Sequence, residues 1–512
     1  MLPPIVTSIR IRWLAAAAAT LSVLSFAGAA HAAAPIGAFT TRGAWSFVSA
    51  RGLHPPRLST DVRTQRARLA RGDFLLDSFP NVGARGPMVG QGGPLMVNSA
   101  LAPIWFHSVG THVLSADLKQ DTYLGRPVLS WWEGLFTGTG TVTRGQLVVV
   151  DQHYRRIATL KAASPWIISL HDAVISGPNV WVTAYRFVPH QDLRAYGGKR
   201  DATLYDAGVQ EYELKTGKLL YTWDALNNVP LSDSEQPASA KTASFGAWDA
   251  YHVNSVQVLS GNRILVSMRN TWAAYLVDTG TNQIVWRLGG KRSSFSSAAN
   301  ARFAWQHDVQ LLPNGTVSLY DDNCCKILNN GKFARPNGPS RGMVLRLDMT
   351  ARKASLAASF SRAPTRREAA FLGSMQLLPN GNGLVGWGSL PFFSEYSRSG
   401  RLLLDAVWPR KDQSYRALFT STWVGTPFYP PSGAARTTRG RTTVYASWNG
   451  ATQVVRWQVL AGPSAAHLRV VATKAKTGFE TAIALRGGGF KVFEVRALDA
   501  HRRVLGTSKA FR

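Results

Sequence analysis

One unit recurs along this chain, and it constrains the fold more than any other feature. "HDAVISGPNVWVTAY" starts at His171, "NSVQVLSGNRILVSMRN" at Asn254, "HDVQLLPNGTVSLYDDN" at His307 and "GSMQLLPNGNGLVGWGS" at Gly373. Each is a short apolar run, a Gly- or Pro-centred turn and a second apolar run, which is the pattern of a β-hairpin. Each is followed by another strand pair around a polar turn, at 209–225, 273–290, 342–360 and 394–409. Four strands per unit, recurring every roughly 50 to 80 residues, is the signature of propeller blades. Two less regular units, 114–160 and about 418–462, bring the expected ring to six. Blades must bury both faces against neighbours and no linker separates the copies, so a closed ring is preferred over an array of β-sandwiches.

The expected fold class is therefore all-β, a six-bladed β-propeller with a small C-terminal β-sandwich-like domain. The chain divides into 1–32, a signal peptide; 33–85, an N-terminal segment leaning on the propeller; 86–462, the propeller; and 463–512, the C-terminal β domain, where apolar and polar residues alternate. A length of 512 residues exceeds one ordinary core, and 45% hydrophobic residues with 17 Trp exclude a disordered chain.

The first residues read as a secretory signal. Arg10 and Arg12 precede the apolar stretch "WLAAAAATLSVLSFAGAA", which ends in the small-x-small site "AHA" at 30–32. The mature chain is expected to be secreted or periplasmic. No later run reaches ~18 apolar residues, so no transmembrane helix is expected. Only Cys324 and Cys325 occur, too few for a disulfide framework or a zinc site, and they form either a vicinal disulfide or two buried thiols. The net charge of +29 attracts anions. Nucleic acid is not the expected partner, because no basic run with interleaved aromatics and no nucleic-acid motif is present.

In a propeller the first strand of each blade lines the central channel. His171, His252 and His307 stand at the start of successive hairpins, and Arg186 and Arg269 follow at the ends of the next strands. Imidazoles and guanidinium groups gathered around one axis make an anion site. Three histidines also suit zinc or copper, but no local metal spacing is present and the arginines repel a cation, so no metal is expected. The Asp-Asp of "LYDDN" reads as a turn cluster without calcium-loop spacing. A His-Asp pair can also simply tie strands together. That structural role explains the set less well, since Asp172 and Asp308 follow two of the histidines and nothing comparable follows His252.

Several stretches in order, "HVNSVQVL", "SMRNTWAAYLVDTGTNQIVWRLGGK", "FAWQHDVQLLPNGTVSLYDDN", "GWGSLPFFSEYSRSGRLLLDA" and "VYASWNGATQVVRW", resemble the bacterial arylsulfotransferase (arylsulfate sulfotransferase) family. The resemblance covers about 85–512 and includes "GRPVLSWWEG" and "GFETAIAL", similar to its actinobacterial-type branch. It implies an exported six-bladed propeller that moves sulfate from a phenolic sulfate ester to another phenol without the nucleotide donor PAPS and without a cofactor. It implies that His307 is the sulfated nucleophile, that His171 and His252 are the family's other two histidines, that Asn254 is its asparagine and that Arg269 clamps sulfate. In that reading His252 with Asn254 polarises the sulfuryl group, and His171 exchanges a proton with the phenols. Arg186 and Tyr185 are expected to contact substrate, and Trp131, Trp132 and Tyr185 are candidates to stack on aryl rings or to pack the core. The chemistry suits the residues: sulfuryl transfer, like phosphoryl transfer, depends on positioning and cationic clamping, and neutral imidazole is a competent nucleophile. The partners are then a small aryl sulfate donor and a phenolic acceptor. Two readings compete with it. One is a non-catalytic cell-surface propeller binding anionic polymers or proteins, and the other a hydrolase or lyase on the same ring.

Overall fold

The computed structural model describes residues 38–64, 66–81, 86–136, 142–238, 246–324, 338–362, 365–409 and 412–512. The signal-peptide reading of 1–32 lies outside the described residues, as does Cys325; Cys324 is buried and disulfide-bonded. Secondary structure among the described residues is β-strand with a few 3-10 turns, and no helix among them is long and apolar enough to cross a membrane.

Six strands lead the six sheets that surround the centre of the molecule: β1 (Leu114–Tyr123), β2 (Ile167–Ser176), β3 (Val253–Leu259), β4 (His307–Leu311), β5 (Ser374–Leu377) and β6 (Ala417–Thr420). From β1 to β5 each is the first of four antiparallel strands in sequence order. The β3 sheet, for example, continues through Arg263–Met268, Ala273–Asp278 and Ile284–Gly289. The leading strands pack in a closed cycle, β1 on β2, β2 on β3 and onward until β6 returns to β1. The architecture is propeller-like.

Closure is non-local. β6 pairs with Asp73–Pro80, which pairs with Gly93–Asn98 and then Pro103–Phe106, so one sheet is assembled from both ends of the chain. Ser59–Arg63 also adds an outer strand to the β5 sheet. The segment 33–85 thus supplies strands to two sheets of the ring, and its Phe39–Thr40 forms a separate two-stranded sheet with Met88–Val89. The expected blade over 418–462 differs from the observed pairing as well. Ser432–Thr438 and Arg441–Ser447 form a sheet with Glu480–Ala484, while Arg456–Gly462 pairs with Arg469–Ala475 and Val492–Leu498. These two sheets enclose their own core of Val444, Trp457, Val459, Ile483 and Val495. A strand such as "TTVYASW" alternates equally well for a blade or a sandwich, so only the partner strand decides.

Between sheets the faces interlock through β-branched and aromatic side chains, as where Ile264, Val266 and Tyr275 meet Leu204 and Val209. Each such fully buried side chain stabilises the ring by ~1.5–3 kcal/mol. Nearer the axis the seams are polar. Asp172 accepts the Val256 N–H (3.0 Å), Ser255 that of Val309 (3.2 Å), Asp308 that of Met375 (3.1 Å) and Ser374 that of Ala417 (3.0 Å). Each acceptor ties its own sheet to the next one, and a belt of side-chain hydrogen bonds results. β1 to β4 slip register at this level, which re-aims the residue just ahead of the belt.

Candidate active site

The belt explains the His-Asp pairs. The belt positions are Asp117, Asp172, Ser255, Asp308, Ser374 and Arg416, and the residues immediately before them are Ala116, His171, Asn254, His307, Gly373 and Tyr415. The aspartates serve the ring, and the preceding residues line its centre. His252 is therefore not the counterpart of His171 and His307: Asn254 holds that position, and His252 lies two residues earlier in the left-handed backbone region (φ 56°). Its ring still reaches the same place. The His171 ring centre is 4.8 Å from that of His252, 6.2 Å from His307 and 5.6 Å from Tyr415. Asp117, Trp305, Asp308 and Leu372 nearby also have left-handed backbones. Such conformations cost about 1–3 kcal/mol each and collect where function demands them.

Hydrogen bonding fixes the protonation of His307. Its Nδ1 faces the Trp305 carbonyl oxygen (3.2 Å) and Asp322 Oδ2 (2.7 Å), while its Nε2 faces the Leu372 backbone N–H (3.3 Å). A carbonyl only accepts and an amide N–H only donates, so Nδ1 carries the hydrogen and Nε2 the lone pair. Burial, reinforced by the charge of Arg269, pushes the His307 pKa well below its usual value, so the ring is neutral. Burial pushes the Asp322 pKa well above the usual carboxylate range, and the opposing charge of Arg269 does not overcome it.

His171 and His252 form a second unit. Their Nε2 atoms lie 3.2 Å apart, which is a hydrogen bond only if a single proton sits between them. His252 Nδ1 bonds Asp249 Oδ2, and His171 Nδ1 lies 2.5 Å from Ser169 Oγ. Burial, then the neighbouring imidazoles and arginines, push the His171 pKa well below normal. The pair can hold or release one proton along Asp249–His252–His171–Ser169.

Arg269 follows the strand Arg263–Met268. It donates through Nη1 to Asn270 Oδ1 (3.0 Å) and through Nη2 to the Ala370 carbonyl (2.9 Å), and its guanidinium lies 4.6 Å from the Trp305 ring centre. Its Nε–H is buried with no acceptor among the described residues. A buried, unsatisfied guanidinium donor beside a neutral imidazole lone pair suits an anionic group. Asn254 donates through Nδ2 to the Gln306 carbonyl (2.7 Å), and its Oδ1 is buried without a donor among the described residues.

Behind the histidines lies a charge cluster. Arg416 contacts Asp117 (3.0 Å), Asp172 (3.3 Å) and Asp308 (3.7 Å), and Lys119 contacts Asp117 (3.0 Å) and Asp172. Burial opposes ionisation of Asp172, but Arg416 and Lys119 overcome it and hold its pKa below the usual range. Among the described residues no group of His, Cys, Asp and Glu side chains is disposed to hold a metal ion.

The stretch that contains this site matches a known family. A sequence model described as Arylsulfotransferase (ASST) matches residues 121–408, more than half of the chain, and that span includes all three histidines and Arg269. The chain belongs to the arylsulfotransferase family. Comparison with curated proteins finds no match. Among solved structures, a Bacteroides caccae protein of unknown function is 9% identical over 69% of this chain and 100% of its own, with a TM-score of 0.39. The periplasmic gluconolactonase of Pseudomonas aeruginosa is 11% identical over 81% and 99%, with a TM-score of 0.33. The Myceliophteria thermophila Cps50 (Swd1) β-propeller domain is 10% identical over 77% and 97%, with a TM-score of 0.35. Likeness at this level carries no argument about this chain.

Of the residues singled out from the sequence, His171, His252, His307, Asn254, Arg269 and Tyr185 are brought together. Tyr185 is buried, stacks on Tyr205 (4.6 Å), lies 6.2 and 6.0 Å from the His171 and His252 rings and donates to the Val253 carbonyl (2.6 Å). It walls the histidine pair. Arg186 is not among them. Adjacent strand residues face opposite ways, and its guanidinium pairs with Asp206 (2.9 Å) and lies over the Trp166 ring. Trp131 and Trp132 are core residues whose indole N–H groups donate to Glu133 and the Ile168 carbonyl. Asp249, Asp322, Tyr415 and Arg416 were missed. Asp322 belongs to "LYDDN", whose two aspartates are no turn cluster: Asp322 bonds His307 and Asp321 bonds Arg341 (3.0 Å). The signal available was that this Asp-Asp ends the strand paired with the His307 strand.

Proposed function

We propose that this chain is an exported, PAPS-independent aryl sulfotransferase on a six-bladed β-propeller with a C-terminal β-sandwich, working by a ping-pong mechanism through a sulfohistidine. The observation that carries the reading is the neutral His307 with its Nε2 lone pair, beside the buried donor of Arg269. Nε2 attacks the sulfur of an aryl sulfate, an N–S bond forms, and the S–O bond to the aryl group breaks. The phenolate leaves with that electron pair and takes the proton shared by His171 and His252. The Leu372 N–H, displaced from Nε2, and the Arg269 Nε–H are donors for the sulfuryl oxygens, whose charge dominates such transition states. In the second half-reaction an acceptor phenol returns its proton to the histidine pair, its oxygen attacks sulfur, and the N–S bond breaks. Asn254 has only its carbonyl oxygen available, so it suits accepting the phenol O–H rather than polarising sulfate.

The test uses 4-nitrophenyl sulfate, following nitrophenolate release with and without excess phenol. Release that rises with phenol, with phenyl sulfate formed, is expected for the wild type and lost in His307→Ala. Release to water alone, or transfer by His307→Ala, overturns the reading.

A further inference from the structure

A cavity that none of His171, His252 and His307 lines lies where the strand Pro103–Phe106 and the turn at 151–155 meet the segment 428–449. Its volume is about 920 Å³, within the range of small-molecule sites. Its accessible aromatic walls are Phe428, Tyr429 and Trp448, backed by the buried Trp105 and Trp131, and among the described residues no carboxylate lines it. Three arginines do: Arg51, Arg155 and Arg156, none of which has an ion-pair partner among the described residues. The Arg155 guanidinium lies 5.3 Å from the Phe428 ring centre, and Phe428 is 56% exposed. His107 ends a stack formed with Trp105 (6.2 Å) and then Tyr154 (5.1 Å). It is half-buried in the wall. Burial lowers the His107 pKa; the Glu133 carboxylate opposes this shift, and the Arg156 charge adds to it.

The cleft is built in advance of any ligand. Asn449 both accepts from the Phe106 N–H and donates to the Phe106 carbonyl (2.9 Å each). Tyr154 Oη donates to the Gly450 carbonyl (2.8 Å), and the Trp448 indole N–H donates to the Tyr429 carbonyl (2.7 Å). At Gly450 (φ 85°) a Cβ would stand 2.5 Å from the Tyr154 ring, so backbone and ring touch there. Such fixed walls spare a ligand the cost of ordering them.

We propose that this cleft binds a small aromatic anion, its ring against the tryptophan and phenylalanine walls and its acid group on the unpaired guanidiniums of Arg155 and Arg156. The assignment does not rest on sulfuryl transfer at His307. Aromatic faces reward a planar ring and arginines reward a carboxylate, sulfate or sulfonate, while the nearest carboxylate, Glu133, stands behind the wall, bonded to the Trp131 indole N–H.

The probe is naphthalene-2-sulfonate, whose carbon–sulfur bond no sulfuryl transfer breaks, titrated calorimetrically into the full mature chain. One binding event is expected to survive Arg269→Ala and to weaken about tenfold in each of Arg155→Gln and Arg156→Gln. Phe428→Ala, an exposed side chain, weakens it about threefold, and thermal unfolding of these three variants matches the wild type. Turnover of 4-nitrophenyl sulfate is unchanged in Arg155→Gln. Binding that ignores both arginine variants overturns the site. Equal competition by sodium sulfate overturns its aromatic part, and equal affinity for uncharged 2-naphthol overturns its anionic part.

Discussion

Replacing Asp322 by Asn tests how His307 is made nucleophilic. The side chain keeps its shape, and the acid that orients the imidazole through Nδ1 is replaced by an amide. A hydrogen bond of this kind is worth ~0.5–1.5 kcal/mol, which at 1.36 kcal/mol per decade corresponds to a slowing of roughly 2- to 10-fold. The effect should stop well short of the ~10⁴-fold loss seen when an orienting aspartate alone sets a histidine's tautomer. Here the Trp305 carbonyl still requires hydrogen on Nδ1, and the Leu372 N–H still requires a lone pair on Nε2. The assay is the pre-steady-state release of nitrophenolate from 4-nitrophenyl sulfate, which isolates the first half-reaction. A burst slowed less than twofold would refute the orienting role of Asp322. A loss beyond 10⁴-fold in a normally folded variant would refute the claim that the two backbone groups hold the tautomer.

Arg269→Lys keeps the charge but loses the planar fork, and transfer should fall roughly 10²–10³-fold; steady-state kinetics at saturating donor check this, and near wild-type kcat would contradict it. Arg416→Met leaves Asp117, Asp172 and Asp308 facing one another with only Lys119 beside them, so urea unfolding should show a loss of ~3–5 kcal/mol; a loss under ~1 kcal/mol would contradict the cluster's role. The folded-state pKa of His307 is depressed, so below pH ~6.5 the unfolded chain binds a proton that the folded chain does not. The wild type should therefore lose stability relative to His307→Asn by about 1.4 kcal/mol per pH unit as pH falls below ~6.5, with no change in the difference above it. Urea titrations of both proteins from pH 8 to 5 measure this, and a flat difference would contradict a neutral buried ring.

What was legible in the sequence follows from what is local. The hairpins at His171, Asn254, His307 and Gly373 announce themselves because strand, turn and strand are contiguous. The sheet closed by Ala417–Thr420 on Asp73–Pro80 does not, since its strands lie at opposite ends of the chain. His171 and His307 stood out through the His-Asp pair, although the aspartates turned out to bind the neighbouring sheet. His252 looked like a third copy, yet a two-residue offset gives its repeat position to Asn254, and only a left-handed turn brings the imidazole back. Asp249 and Asp322 could not be assigned because the partner of a buried carboxylate is set by tertiary packing. Arg186 failed for a simple reason: one residue along a strand reverses the face.

The central claim is a covalent intermediate on His307. The direct measurement is to mix the chain with isotopically labelled 4-nitrophenyl sulfate in the absence of acceptor, quench within one turnover and map the label by peptide mass spectrometry. The account predicts one sulfuryl group per chain, on His307 Nε2, discharged on adding phenol and absent from Arg269→Ala at the same time point. Label on another residue, or full turnover to a phenol with no labelled peptide at any time, would contradict it.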